Sequence, residues 1–582
     1  MLAFGHMARL WLTAPDRGPA RWMLVALVLL TVAQVAIQVR FNIWNRDFFN
    51  ALESRDGAAF RLQILIFLGL AALSVGVVVY QLYLKNLIQL AWRSWLTKHL
   101  LDAWLREGRH YQLDMAAGAA DNPDQRIAED VRIVTDLAMD FATGLLTSVL
   151  MLSTFIGILW NLSGAMQFSL GGHEVGIPGH MVWAALAYAL LGSSLTFLLG
   201  RPLILLNVQR AGAEADLRFG LTRARESGEG IALISGEADE RRSLMLIFAD
   251  VSNTVLGLFR SQRNLMWLTS AYGTLAMIVP TIIASPAYFA GTLTLGGLMQ
   301  IGAAFAQVQG ALNWFVDNNG RIAEWRSAVS RIIAFRDVIE DLDALVADPE
   351  QPTITIRESD DGRLVLRNLE VAFADGTSVI ADASAEIAPG ERVLLDGESG
   401  SGKSTLFRAI AGLWPWGAGE ILTPPRSEMM FLPPCPYLPL GSLATVVAYP
   451  SGMESFPPEA LAAALADSGL ERLAGQLERV ERWDRTLSLA DQQRISFARL
   501  LLHKPGWIFM DEATSALDEV SEAALMGLVL ERMPGAALIS IGQHSCLAQF
   551  HTRKLVLVRA EGGARLSPPR RQNPVRKWIR AA

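Results

Sequence analysis

Nine consecutive residues have the types and spacing to hold a polyphosphate: Gly397-Glu398-Ser399-Gly400-Ser401-Gly402-Lys403-Ser404-Thr405. They fit G-x-x-x-x-G-K-[ST] at every required position. The glycines let backbone N–H groups converge on an anion, and the positive end of a following helix points at the same place. The Lys403 ammonium is spaced to reach the β- and γ-phosphates, and the Ser404 hydroxyl to hold Mg²⁺. A second chemical pair, Asp511-Glu512, lies downstream. After a phosphate loop, such a pair places one carboxylate in the Mg²⁺ shell and the next on the attacking water. Asp511 is expected in the first role and Glu512 in the second.

Both features need rigid supports. The apolar run Val393-Leu394-Leu395 reads as a strand entering the loop, and Leu406 to Leu413 as the helix leaving it. Trp507-Ile508-Phe509-Met510 reads as the strand that delivers the acidic pair. Residues 353–356, 364–366, 370–374 and 378–380 are also strand-like. They follow a break at Pro349-Glu350-Gln351-Pro352. A boundary near residue 350 leaves a C-terminal part that suits one α/β domain over 351–582.

The N-terminal part, 1–350, has another character. Of the 582 residues, 51% are hydrophobic and only 19% charged, with a mean hydropathy of +0.29. Charge this sparse points to a membrane protein. Six stretches are long and apolar enough to span a bilayer: 22–39, 64–84, 141–162, 181–200, 265–284 and 295–315. The sixth carries Gln300, Gln307, Gln309 and Asn313. Those amides face a wet cavity or bond neighbouring helices, and the sequence leaves both readings open. The expected fold class is therefore an α-helical transmembrane domain of six spans followed by an α/β phosphate-loop domain.

Basic residues set the orientation. The loop from Ser163 to His180 has no Lys or Arg, whereas the segment between the fourth and fifth spans carries nine arginines, from Arg201 to Arg263. That segment, both termini and the α/β domain are expected in the cytosol of an integral, multi-pass protein of the bacterial inner membrane. Arg46, Arg55 and Arg61 fall outside on this topology, offset by Asp47, Glu53 and Asp56. In the long segment 203–247, Gly228 and Gly230 interrupt the helical pattern. A turn there suits docking onto another domain, and a solvated charged helix is the other reading. At Asn122-Pro123-Asp124-Gln125-Arg126-Ile127 a turn opens, with Asp124 expected to cap the next helix. The net charge of −6 is unevenly spread, and no long basic tract suits nucleic acid. The two cysteines, Cys435 and Cys546, make no disulfide framework. Residues 1–21 have no long apolar core or clear cleavage site for a signal peptide. The basic tail from Arg570 to Arg580 is either a lipid-headgroup contact or disordered.

Asp511-Glu512-Ala513-Thr514-Ser515-Ala516-Leu517-Asp518 resembles the Walker B and D-loop of ATP-binding cassette (ABC) transporters. The order of motifs is similar too: the phosphate loop, then a signature-like Leu487-Ser488-Leu489-Ala490-Asp491-Gln492-Gln493-Arg494, then Walker B. The stretches 42–52 (Asn-Ile-Trp-Asn-Arg-Asp-Phe-Phe-Asn-Ala-Leu), 121–127 and Gly412-Leu413-Trp414-Pro415 resemble one branch. It contains bacterial peptide-antibiotic and cobalamin uptake proteins and peroxisomal fatty-acyl transporters. The resemblance covers almost the whole chain. It implies a half-transporter that works as a homodimer, a heterodimer being the other possibility, with ATP and Mg²⁺ held between the phosphate loop of one chain and the signature of the other. Ser488, Ala490 and Asp518 then contact the nucleotide of the second chain. Phe373 sits at the adenine-stacking position, although a strand-core role fits it equally.

Three positions depart from the family pattern. Pro434 replaces the Q-loop glutamine and has no amide side chain. Ala490 replaces a signature glycine, which strains the backbone if φ there is positive. Gln543 replaces the switch histidine, with His544 one residue late. Ser488, Asp511 and Glu512 are kept. The expected activity is ATP-driven transport with slow hydrolysis, of peptide-like, vitamin-like or amphipathic cargo that the sequence does not specify. The second reading is a nucleotide-gated membrane protein with a regulatory or binding role.

Overall fold

A computed structural model describes residues 18–117, 122–163, 165–170, 173–347, 353–373, 375–542 and 545–567, with Gly5, Arg9, Trp11 and Thr13 ahead of them. The chain divides into two compact units. One takes Met1–Leu101 with Asn122–Arg336, the other Asp102–Asp121 with Asp337–Ala582.

The first unit is built from long helices: α1 (Gly18–Glu53), α2 (Gly57–Leu105), then α4 (Val131–Ser163), α5 (His180–Glu226), α7 (Glu237–Phe289) and α8 (Leu295–Asp317). Each holds one of the six apolar stretches. Among the described residues, five helices are long and apolar enough to cross a membrane. The sixth, α8, has 23 residues, and at ~1.5 Å per residue it also matches a ~30 Å hydrocarbon layer. Its three glutamines dilute its hydropathy. A short antiparallel hairpin, β1 (Ala165–Leu170) and β2 (His173–Pro178), joins α4 to α5. The turn expected at the two glycines lies on either side of them instead. Helix α5 stops at Glu226, Gly228–Leu233 forms the short helix α6, and α7 opens at Glu237.

The glutamines of α8 act between helices. Gln300 and Gln309 are buried. Gln300 donates to Asn42 Oδ1 at 3.0 Å, and Asn42 donates to the Gln300 carbonyl at 3.1 Å. The end of α1 also caps the start of α8: Asn50 Oδ1 accepts from Gly296 N–H and Glu53 from Leu295 N–H, both at 3.0 Å. These bonds satisfy donors that a helix start otherwise leaves bare. The approach is so close that a Cβ on Gly296 would lie 2.1 Å from the Arg46 carbonyl, whereas one on Gly302 meets nothing within 4 Å. Gly296→Leu should therefore prevent stable assembly, and Gly302→Ala should be tolerated. Thermal unfolding in detergent compares the two, and equal melting temperatures would contradict this account.

At 122–126 the cap is not Asp124. Asn122 takes the N-cap backbone without a side-chain bond, and Pro123 occupies the first helical position, where its missing N–H costs nothing. One turn of π-helix, Arg126–Asp130, follows. It delivers the fully buried Asp130 to Arg331, which donates two bonds at 2.8 and 2.5 Å, with Arg126 adding one at 3.1 Å. A buried carboxylate is tolerated because it is paired in this way.

The second unit centres on a ten-stranded sheet. Its strands are β3 (Thr355–Glu358), β4 (Leu364–Ala372), β5 (Ser378–Ile387), β6 (Arg392–Gly397), β7 (Gly417–Thr423), β8 (Met429–Leu432), β9 (Trp507–Asp511), β10 (Ala537–Ile541), β11 (Arg553–Val558) and β12 (Ala564–Ser567). The spatial order is β3-β7-β4-β5-β12-β11-β6-β10-β9-β8. The strands β11, β6, β10, β9 and β8 run parallel. Their continuous apolar sequences match burial on both faces. Trp507 and Phe509 enter one core with Phe407, while Ile508 and Met510 enter the other with Phe497. The segment 102–121 belongs to this unit through helix α3 (Arg109–Ala117). Arg109 is buried and paired with Asp343 at 2.6 Å, and Met115 packs on the sheet core.

Candidate functional site

Strand alternation decides which way the acidic pair points. Asp511 shares parity with Trp507 and Phe509, so it faces the side covered by helix α10 (Lys403–Ile410). Strands β6 and β9 flank β10 in parallel, and this brings their C-terminal ends to one edge. Ser404 Oγ there donates to Asp511 Oδ1 at 3.0 Å. Residues 107 positions apart in sequence thus meet at the start of one helix. In the loop, Gly400 and Gly402 take φ of +76° and +94°, conformations open to glycine. Lys403 Nζ lies over the loop and donates to the carbonyls of Gly397 (2.7 Å) and Glu398 (2.9 Å). Asp396, at the loop entrance, is anchored by Lys554 at 2.6 Å. That bond holds its carboxyl below the usual carboxylate range.

Asp511 titrates the other way. Burial pushes its carboxyl up and the neighbouring Glu512 charge adds to this, while the Ser404 bond partly offsets both. Such a site gains from a cation, because a bound positive charge favours the ionised form. Glu512 holds φ at +48°, a left-handed conformation that a glutamate rarely adopts, with its N–H bonded to the Ile541 carbonyl at 2.9 Å. Strain of this kind costs about 1 kcal/mol or more and clusters at working sites.

A cleft of about 610 Å³ joins these groups. Ser399 to Thr405, Asp511, Glu512, Pro434 and Phe373 line it. The Phe373 ring is 46% exposed, so it belongs to the cleft wall and not to the strand core. Buried Trp414 sets it, donating to the Ala372 carbonyl at 2.6 Å and packing against the Phe373 ring at 5.6 Å. The cleft therefore offers an aromatic face at one end, an anion-binding loop along its length, and a carboxylate pair at the other end.

Comparison with known proteins agrees with this geometry. Residues 11–289 match the family model for ABC transporter transmembrane region 2, and residues 380–515 the ABC transporter model. The chain is 30% identical to the inner membrane ABC transporter ATP-binding protein YddA of Escherichia coli K12, over 89% of this chain and 91% of that one. It is also 30% identical to the chloroplastic ABC transporter D family member 2 of Arabidopsis thaliana, over 94% and 84%. The chain belongs to the ABC transporter family. A solved bacterial Atm1-family ABC exporter shares the fold, with a TM-score of 0.73 at 18% identity and 95% of each chain covered. This ABC half-transporter binds ATP and couples its hydrolysis to transport across a membrane.

Within the ABC framework the altered positions have definite surroundings. Pro434 lines the cleft, and its carbonyl accepts from Gln493 Nε2 at 2.9 Å. Fully buried Gln493 also donates to Ser515 Oγ and accepts from Ala516 N–H. One amide therefore ties the loop at 434 to the segment after Walker B. Ala490 carries no strain. It lies in the first turn of α11 (Leu489–His503) with ordinary helical backbone, and its methyl packs on the second core cluster. The condition for strain, a positive φ, is not met at Ala490. Ser488 and Asp518 do not line the cleft of their own chain. Each caps a helix, Ser488 at α11 and Asp518 at α12 (Glu519–Arg532). Gln543 and His544 lie outside the described residues.

The sequence motifs did not point to three groups of contributors. Arg559, Ala560 and Gly563 line the cleft from the β11–β12 turn, and Ser378 from the start of β5. Gln493, the third, was readable only as part of the signature. None of the cleft additions has a motif, because they reach the site through strand pairing.

Proposed function

We propose that this transporter works as a homodimer in the bacterial inner membrane, with a permease over 1–350, a cassette over 351–582, and the cassette and both termini in the cytosol. Each ATP is held with Mg²⁺, Ser404 and Asp511 being the metal's protein partners. The loop 397–405 of one chain supplies the phosphate cradle, and Ser488, Ala490 and Asp518 of the other chain close over it. Phe373 stacks on the adenine. Glu512 polarises the attacking water, and the 543–544 segment senses the γ-phosphate. The observation that carries this reading is the separation within one chain: Ser488 and Asp518 are exposed helix caps away from the cleft that holds Lys403 and Glu512. A complete site then needs a second chain. ATP binds the closed pair more tightly than the open one, and that difference drives the permease. Hydrolysis is slow, because Pro434 has no side-chain amide and Gln543 cannot shuttle a proton as a histidine does. The cargo is peptide-like, vitamin-like or amphipathic.

Cysteines placed at Ser401 and Ser488, with Cys435 and Cys546 changed to Ser, test the assembly. An ATP-dependent crosslink between two copies of this chain is expected in membranes. A chain that crosslinks only in the presence of a different subunit would exclude the homodimer. The altered residues around the phosphate favour a second reading, in which nucleotide occupancy gates a regulatory protein that rarely turns over.

A further inference from the structure

Besides the Phe373 loop, the cleft is lined by the turn after β11. Strands β11 and β12 pair antiparallel, with Val558 opposite Arg565, and β12 lies parallel to the start of β5, with Ala564 beside Ile380. This pairing brings the turn 559–563 to the base of the Phe373 loop. The fit is close: a Cβ on Gly563 would stand 2.9 Å from Ser378 Oγ and 3.0 Å from Ala381 N. Arg559 leaves this turn and lines the cleft. It is exposed, and it makes no hydrogen bond or ion pair with another described residue. Ser378 Oγ and Ser401 Oγ are buried in the same lining, also without a partner among the described residues. A free arginine, an exposed aromatic ring and two unpaired hydroxyls therefore line one cleft, an arrangement suited to receive something flat and polar.

We infer that Arg559 is a nucleotide-selecting residue, holding the purine base of ATP against Phe373 through its planar guanidinium. The proposal rests on the cleft being the ATP site and adds the element that reads the base. The phosphate loop is blind to the base, since its donors see only phosphate oxygens. A lone half-exposed phenylalanine stacks on any base. A guanidinium adds both a second flat cation for the π-face and directed donors for ring nitrogens. Ordering the free Arg559 side chain costs entropy, so the gain is moderate.

The test uses full-length protein in lipid nanodiscs, in a Glu512→Gln background that suppresses turnover, titrated by calorimetry with ATP and with inorganic tripolyphosphate. Arg559→Ala is expected to weaken ATP about five- to tenfold and to leave tripolyphosphate unchanged. Arg559→Lys should recover only part of the loss, because an ammonium is not planar. Unchanged ATP affinity would overturn the proposal, and so would equal losses for the two ligands, which would place Arg559 on the phosphates. Lys403→Ala separates the underlying assignment. If it left both ligands unaffected, the cleft itself would not be the ATP site, whatever Arg559 did.

Discussion

Replacing Glu512 by Gln should lower steady-state ATP hydrolysis about 10²- to 10³-fold and leave ATP affinity within about twofold. Losing one positioned polar group at the reacting centre has effects of that size. The substitution keeps the side-chain length and the backbone bond to Ile541, so the cleft is preserved. Only the carboxylate proposed to polarise water is lost. The same change decides between the two readings of the protein. If hydrolysis drives transport, vesicle uptake or export of cargo falls with the ATPase rate. Equal transport by wild type and variant would favour nucleotide gating instead. A companion change, Glu512→Gly, removes the same carboxylate and also relieves the φ of +48°. It should raise stability by about 1 kcal/mol while hydrolysis stays lost. A melting temperature no higher than that of Glu512→Gln would mean the left-handed glutamate is not strained.

Restoring the family residues should act in the opposite direction. Pro434→Gln, Ala490→Gly and Gln543→His together are expected to raise ATP turnover about 10²-fold, measured as steady-state rate in lipid. Pro434 lines the cleft alongside Asp511 and Glu512, so a glutamine there regains an amide near the metal side of the site. It also keeps the carbonyl that Gln493 grips, so the loop need not move. Ala490→Gly removes a methyl from the first turn of α11 at a cost of up to ~1 kcal/mol in helix propensity. Gln543→His returns a group that can shuttle a proton. On the proposed site the three changes act on one reacting centre, so they should not be additive. An unchanged rate in the triple variant would show that this shell does not limit turnover, and a wild-type rate of about 1–10 s⁻¹ would already exclude slow hydrolysis.

Some features were legible because their physics is local. A phosphate loop must be contiguous, since consecutive backbone N–H groups form the cradle, and 397–405 could be read without knowing any contact. A membrane helix must be apolar along its own length, so the six stretches stood out in the same way. The meeting of Asp511 with the phosphate loop was legible, because an apolar strand ending in an acidic pair leads to the loop hydroxyl at 404. Ala490 shows the limit of that approach. Its type suggested strain, but only the helical backbone at 489–503 decides that there is none.

Other features depend on partners far along the chain. Asn42 and Asn50 read as one motif, with Glu53 just beyond it, but it is their meeting with α8, more than 240 residues later, that explains all three. Gly296 is required by a helix crossing and by no local pattern. Residues 102–121 look like part of the membrane half, yet Arg109 and Met115 pack into the C-terminal unit. Arg559 reaches the cleft because β12 inserts between β5 and β11. The sequence by itself determined the class of protein, the phosphate loop and the acidic pair, because those are fixed by residue type at short range. The tertiary structure alone decided which polar groups pair inside the helical unit and which residues join the phosphate loop in lining the cleft, because strand order and helix crossings are properties of the folded whole.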